Sequence, residues 1–154
     1  MKNIHRILFV CHGNICRSPM AEFVMKDIVS KAGKSDEFYI ASCATSTEEI
    51  GNPVHYGTKR KLAEVGISCD GKRAVQLTRS DYDKYDYIIA MDEMNIRNII
   101  RIIKSDPEGK VSLLLSHAGM SGSIADPWYT GNFDDTYRDV LLGCKALFNE
   151  IVSK

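Results

Sequence analysis

Charge of either sign is not in excess in this chain: 20 Lys and Arg stand against 20 Asp and Glu, a formal net charge of zero. Proteins that bind nucleic acid ordinarily carry a basic field, so nucleic acid is not expected as a partner. There is no run of like charge, no low-complexity tract and no internal repeat. No apolar run approaches the roughly 20 residues that span a bilayer, so no membrane insertion is expected. Lys2 and Arg6 precede an apolar run, but it is too short for the core of a secretion signal, and a cytoplasmic protein is the default expectation. Cysteines lie at 11, 16, 43, 69 and 144, an odd number with no CxxC pair. That excludes a disulfide framework and a zinc site as first readings. Cys43, Cys69 and Cys144 read as small apolar fillers. The four histidines show no ligand spacing.

What the chain does have is the composition of a globular domain, 44% hydrophobic and 26% charged over 154 residues. This predicts one domain over residues 1–154 with a single core. Strands are expected at His5 to Val10, Phe38 to Ala41, Tyr85 to Ala90 and Val111 to Leu115, from their apolar runs. Helices are expected over Met20 to Ala32, Val54 to Val65, Glu93 to Lys104 and Asp134 to Val152. In the first helix Met20, Val24 and Ile28 share a face, with Glu22, Lys26 and Lys31 toward water. Gly33 is placed to stop it. Asn52-Pro53 looks like a cap and first helical residue for the second. Residues 67–83 are ambiguous, and Ser116 to Asn132 reads as a long loop. Strands alternating with helices predict an α/β fold whose sheet is mostly parallel, with helices on both faces. Ligands of such sheets bind at the carboxyl ends of the strands.

Cys11 ends the first strand there and opens the run Cys11-His12-Gly13-Asn14-Ile15-Cys16-Arg17-Ser18-Pro19. Ser18 sits where an N-cap belongs and Pro19 where a first helical residue belongs. A strand, a tight loop and a helix start make an anion site, because unpaired N–H groups and the positive helix end converge on one small volume. The same field favours a thiolate at Cys11. Arg17 can offer a planar fork to two oxygens of a phosphate. A nucleophile and a phosphate cradle within nine residues point to cysteine-based phosphoryl transfer. Breaking a phosphate ester also needs a proton for the leaving oxygen, which neither Arg17 nor a thiolate supplies. Asp126, in Asp126-Pro127-Trp128-Tyr129, is the candidate acid. Trp128 and Tyr129 beside it would wall a cleft suited to an aryl phosphate.

These two motifs, CHGNICRSP and DPWY, resemble the low-molecular-weight protein tyrosine phosphatases, and so do Ala44-Thr45-Ser46, Ile50-Gly51-Asn52-Pro53 and Met91-Asp92-Glu93 between them. The resemblance covers essentially the whole chain. It implies a four-stranded parallel sheet flanked by helices, with the phosphate-binding loop after the first strand, and a cofactor-free reaction. In that reaction Cys11 becomes a phosphocysteine, Arg17 and the loop amides hold the phosphate, and Asp126 serves as general acid and then base. The phosphate-binding set would be His12, Gly13, Asn14, Ile15, Cys16 and Ser18, with Ser18 stabilising the thiolate and Asn14 bracing the loop. Gly13 would let the backbone curl around the anion. Ile15 matches members that act on tyrosine, where relatives acting on phosphoarginine tend to carry Thr. Implied partners are phosphotyrosine proteins, a tyrosine kinase being one candidate, with inorganic phosphate as product.

Two positions depart from that pattern. Glu48 stands where a bulky aromatic often walls the cleft, and an acidic wall would disfavour acidic peptides. Lys72 stands where a histidine often braces the phosphate loop, which puts the rigidity of that loop in question. Asp92 reads either as a helix cap or as a support of the site. Cys16 is a candidate for a reversible disulfide with Cys11. The competing functions are an arsenate reductase of the same fold, which would need relay cysteines, and a phosphopeptide binder, which would need neither Cys11 nor Asp126.

Overall fold

The apolar run that carries Cys11 at its end is the middle of the molecule. In a computed structural model that describes residues 3–154, so that Lys2 lies outside it, β1 (His5–Cys11) is paired along both edges. On one side lies β2 (Phe38–Ala44), and on the other β3 (Tyr87–Ala90) and then β4 (Val111–Leu113), giving the order β2-β1-β3-β4 with every pairing parallel. This is the expected four-stranded α/β architecture.

A strand sends successive side chains to opposite faces, and both faces here are covered. Ile7, Phe9 and Cys11 point into a core shared with Met20, Ala21 and Val24 of α1 (Arg17–Lys31), Leu62 of α2 (Tyr56–Glu64), and Val140, Cys144 and Leu147 of α6 (Phe133–Val152). Leu8 and Val10 point the other way, onto Tyr82 of α3 (Asp81–Lys84) and Ile99 and Ile103 of α4 (Glu93–Ile103). The period therefore aims Cys11 at α1 rather than α4. Cys43, Cys69 and Cys144 are buried among apolar neighbours, as fillers should be.

Several elements start or stop elsewhere than the sequence predicts. β2 runs on to Ala44 because Ala44 is gripped again beyond β1: its N–H donates to the Val75 carbonyl and its carbonyl accepts from Leu77. Pro53 does not open a helix; it bridges Arg73 in an isolated antiparallel pair, and α2 begins at Tyr56 with His55 as its cap. β4 ends at Leu113, and residues 114–118 tighten into a short 3-10 turn. The expected long loop from Ser116 to Asn132 also contains a four-residue helix, α5 (Pro127–Thr130). Gly33 stops α1 as predicted, in the left-handed conformation with φ 71°.

Candidate active site

The carboxyl end of β1 is where the loops converge. The chain leaves β1 at Cys11 and re-enters helix at Arg17, so the turn is only residues 12–16 long. It is held against the segment after β2, because Thr45 donates to the Cys11 carbonyl (3.0 Å) and Ser46 to the His12 carbonyl (3.0 Å). Asn14 takes the left-handed conformation, φ 59°, and is fully buried. A non-glycine residue pays for that conformation unless its surroundings fix it. Here they do: the Asn14 amide nitrogen donates to Ser18 Oγ (2.8 Å) and Ser42 Oγ (2.9 Å), and its oxygen accepts from Val75 N–H (3.1 Å).

The Cys11 sulfur receives the result. Asn14 N–H (3.3 Å) and Ser18 N–H (3.4 Å) both donate to Sγ, and Ser18 Oγ lies 3.0 Å from it. Asn14 already donates into Ser18 Oγ, so the Ser18 hydroxyl proton is left for the sulfur or for the more distant Cys43 carbonyl (3.4 Å). Two N–H donors, with a hydroxyl at hydrogen-bond distance, favour negative charge on the sulfur. Ser18 is consequently not the N-cap the sequence predicts. Cys16 holds that position without a side-chain bond, and the first-turn N–H of Ser18 goes to the Cys11 sulfur instead.

Beneath Asn14 lies a carboxylate that sequence reasoning turned toward water. Glu22 is only 4% exposed; it accepts from Ser42 Oγ (2.6 Å) and from Lys26 Nζ (2.6 Å). The one available clue was its position one helical turn beyond Ser18, on the same stripe. Lys72 completes this layer. Its Nζ donates to the Ser42 carbonyl (2.8 Å) and lies 3.6 Å from Glu22. The loop is thus braced by a lysine where the family resemblance implies a histidine.

Arg17 is 3% exposed. Nη1 donates to Asp92 Oδ2 (2.7 Å) and to the Ile124 carbonyl (3.0 Å), and Nη2 to Asp126 Oδ2 (3.4 Å). Burial works against its charge, but Cys11, Asp92 and Asp126 outweigh it and raise its pKa further. Both readings of Asp92 hold at once: Oδ1 caps α4 by accepting from Asn95 N–H (2.7 Å), while Oδ2 grips Arg17. Asp126 divides its oxygens the same way, Oδ1 capping α5 through Trp128 N–H (3.0 Å) and Oδ2 on Arg17.

The structure gathers Cys11, His12, Gly13, Ile15, Cys16, Arg17, Glu48, Asp126, Trp128 and Tyr129 around one solvent-open cleft of about 120 Å³, together with Glu49, which sequence reasoning missed. Asn14 and Ser18 stand apart from this lining: they are wholly buried and act behind the sulfur. Cys16 is a free thiol, its pKa pushed up to about 12 by burial and then by the neighbouring Cys11. No cysteine besides Cys11 and Cys16 lines the cleft. His12 Nε2 meets Glu48 Oε2 at 3.0 Å on the rim. Trp128 and Tyr129 are 58% and 84% exposed. Trp128 is backed edge-on by the His55 ring at 5.6 Å, and that ring stacks on Phe133 at 5.4 Å. His55 was not singled out from sequence, because its role depends on rings from three separate segments. Among the described residues no cluster of His, Cys, Asp or Glu is arranged to hold a metal ion.

The family described as low molecular weight phosphotyrosine protein phosphatase has a model that matches residues 6–154. The low molecular weight protein-tyrosine-phosphatase YfkJ of Bacillus subtilis is 40% identical over 147 residues, covering 94% of each chain. The rat low molecular weight phosphotyrosine protein phosphatase is 40% identical over 151 residues, again with 94% of each chain covered. The crystal structure of YfkJ superposes with a TM-score of 0.94 at 38% identity, covering 98% of this chain and 96% of that one. A sulfur ringed by donors, an arginine locked between two carboxylates, and likeness along nearly the full length agree: the chain belongs to the low molecular weight phosphotyrosine protein phosphatase family.

Proposed function

We propose that residues 1–154 form one cytoplasmic phosphatase domain that hydrolyses phosphotyrosine in proteins, and small aryl phosphates, through a phosphocysteine on Cys11. The observation that carries this reading is the grouping of the donor-ringed Cys11 sulfur, Arg17 and Asp126 around one cleft bordered by aromatic rings. The described bonds of Arg17 use both Nη1 protons and one on Nη2. Nε–H and the second Nη2–H remain as a side-on fork for two phosphate oxygens. Cys11 Sγ attacks phosphorus while the bond to the tyrosine oxygen breaks, and Asp126 delivers the proton that oxygen needs. Arg17 and the backbone N–H groups of the loop hold the equatorial oxygens as charge shifts among them. Water then attacks the thiophosphate, Asp126 takes its proton, and inorganic phosphate leaves with the thiolate restored. Ser18 steadies that sulfur as leaving group.

The five unpaired cysteines accord with a reducing compartment. A tyrosine kinase bearing phosphotyrosine fits the substrate class. Relay cysteines for arsenate chemistry would have to come from Cys43, Cys69 or Cys144, all buried away from the cleft, so the phosphatase reading is preferred. Acid-quenched reactions with a labelled phosphotyrosine peptide test it: phosphate is expected on Cys11 during turnover. Turnover without labelled Cys11, or disulfide formation with arsenate in its place, would overturn it.

A further inference from the structure

The floor of the cleft has its cation in Arg17, which among the described residues is the only Lys or Arg lining it. The rim is the opposite. Glu48 and Glu49 both line the mouth, and the Glu48 side chain is 69% exposed. These carboxylates are not on a loose loop. Ser46 donates from both its backbone N–H (3.0 Å) and its hydroxyl (2.9 Å) to the His12 carbonyl, and His12 Nε2 meets Glu48 Oε2. Gly51 N–H donates to the Ala74 carbonyl (2.9 Å) at the far end, and Asn52 Nδ2 approaches Glu49 Oε1 (3.4 Å). The stem of Glu49 packs over Gly13, where a Cβ would lie in ordinary contact, 3.4 Å from Glu49 Cγ. Arg73 is spent on the Gly51 carbonyl (2.9 Å) and does not reach the cleft.

We propose that Glu48 and Glu49 are specificity-determining residues that make this enzyme prefer phosphotyrosine flanked by Lys or Arg over phosphotyrosine flanked by Asp or Glu. The proposal rests on the phosphotyrosine reading above. A phosphotyrosine seated on Arg17 carries its neighbouring residues across the rim, between the two carboxylates on one wall and Trp128 and Tyr129 on the other. The exposed Glu48 and the half-buried Glu49 place negative charge at the rim that attracts a basic neighbour and repels an acidic one, an interaction that acts on encounter and binding and is screened by salt. It touches no reacting atom, so it appears in KM more than in kcat.

The test is kcat/KM for three matched phosphotyrosine peptides with Arg, Ala or Asp on either side of the phosphotyrosine, at low and at high salt. At low salt the Arg peptide is expected to exceed the Asp peptide by roughly tenfold, mostly through KM, the size two rim charge pairs support. High salt should shrink that ratio to about twofold. In the E48Q/E49Q double variant the low-salt ratio should fall to a similar level, and E48K should push it below one. A wild-type ratio near one, or a double variant that keeps the wild-type ratio, overturns the proposal while leaving phosphotyrosine hydrolysis intact. No turnover of any of the three peptides overturns the phosphatase reading itself.

Discussion

The floor and the rim of this cleft are built by opposite rules. On the floor, Cys11, Asn14, Arg17, Ser18, Ser42 and Glu22 are all buried, and each polar side chain has partners within the protein. On the rim, Glu48, Trp128 and Tyr129 present most of their surface to solvent. A buried polar network is worth keeping only if every member is satisfied, because an unpaired one costs the full desolvation penalty. The floor therefore tolerates little variation and fixes which bond is broken. The rim has no such constraint and is free to choose which molecule is brought to it.

If that division holds, substitutions should sort by depth. Cys11→Ser removes the nucleophile and is expected to lower kcat on p-nitrophenyl phosphate by at least about 10⁴-fold, with phosphate binding retained by calorimetry. Activity near wild type in that variant would mean the floor does not do the chemistry. Asp126→Asn should cost roughly 10²–10³-fold in kcat on phosphotyrosine, with a much smaller loss on esters whose leaving group needs no proton. Equal losses on both would show that Asp126 serves only to hold α5 and Arg17. Ser18→Ala removes the hydroxyl that lies 3.0 Å from the sulfur. Carboxymethylation of Cys11 by iodoacetate at neutral pH should slow by about tenfold. An unchanged rate would mean the two backbone donors suffice.

On the rim the effects should be smaller and of another kind. Trp128→Ala should raise KM for phosphotyrosine peptides by about fivefold, more than it lowers kcat. A drop confined to kcat would move Trp128 from the wall to the floor. The smallest effect is expected far from the cleft, at Asp106. Burial opposes ionisation there, but the Tyr82 hydroxyl (2.7 Å) and the N–H groups of Val111 (3.0 Å) and Lys110 (2.7 Å) outweigh it and lower its pKa. A carboxylate whose pKa is depressed on folding stabilises the fold above its ordinary range, and that contribution fades as pH falls through the folded value. Asp106→Asn should lower Tm by a few degrees at neutral pH, and the gap to wild type should close on acidification. Phosphatase activity should stay at the wild-type level. A gap that widens in acid would reverse the assigned sign.

Much of the floor was legible in the chain because it is local. Cys11, Arg17 and Ser18 lie on one strand, one short turn and the start of one helix, and the spacing of their types already draws an anion cradle. Asp126 was legible as an acid beside rings, since Pro127 and Trp128 follow it directly. Glu22 was not, because an i, i+4 pair with Lys26 looks the same on a solvated face as on a buried one. Only β2, arriving from 20 residues away with Ser42, turns that carboxylate inward. The place of Lys72 was hidden for a related reason. Loss of a histidine reads as loss of a brace until the structure places the Lys72 ammonium against the Ser42 carbonyl. The double duty of Asp92 required both the start of α4 and the reach of Arg17, residues 75 apart in the chain.

The sequence by itself determined the order of the four strands and the four longer helices, the loop that cradles an anion, and the pairing of a nucleophile with a candidate acid. These follow from residue type and short-range spacing. The tertiary structure alone decided which charges are buried, how the Ser18 hydroxyl comes to lie against sulfur, and which carboxylates stand at the mouth. Those depend on what segments distant in the chain leave unsolvated or satisfied when they meet, and no periodicity within one segment encodes that.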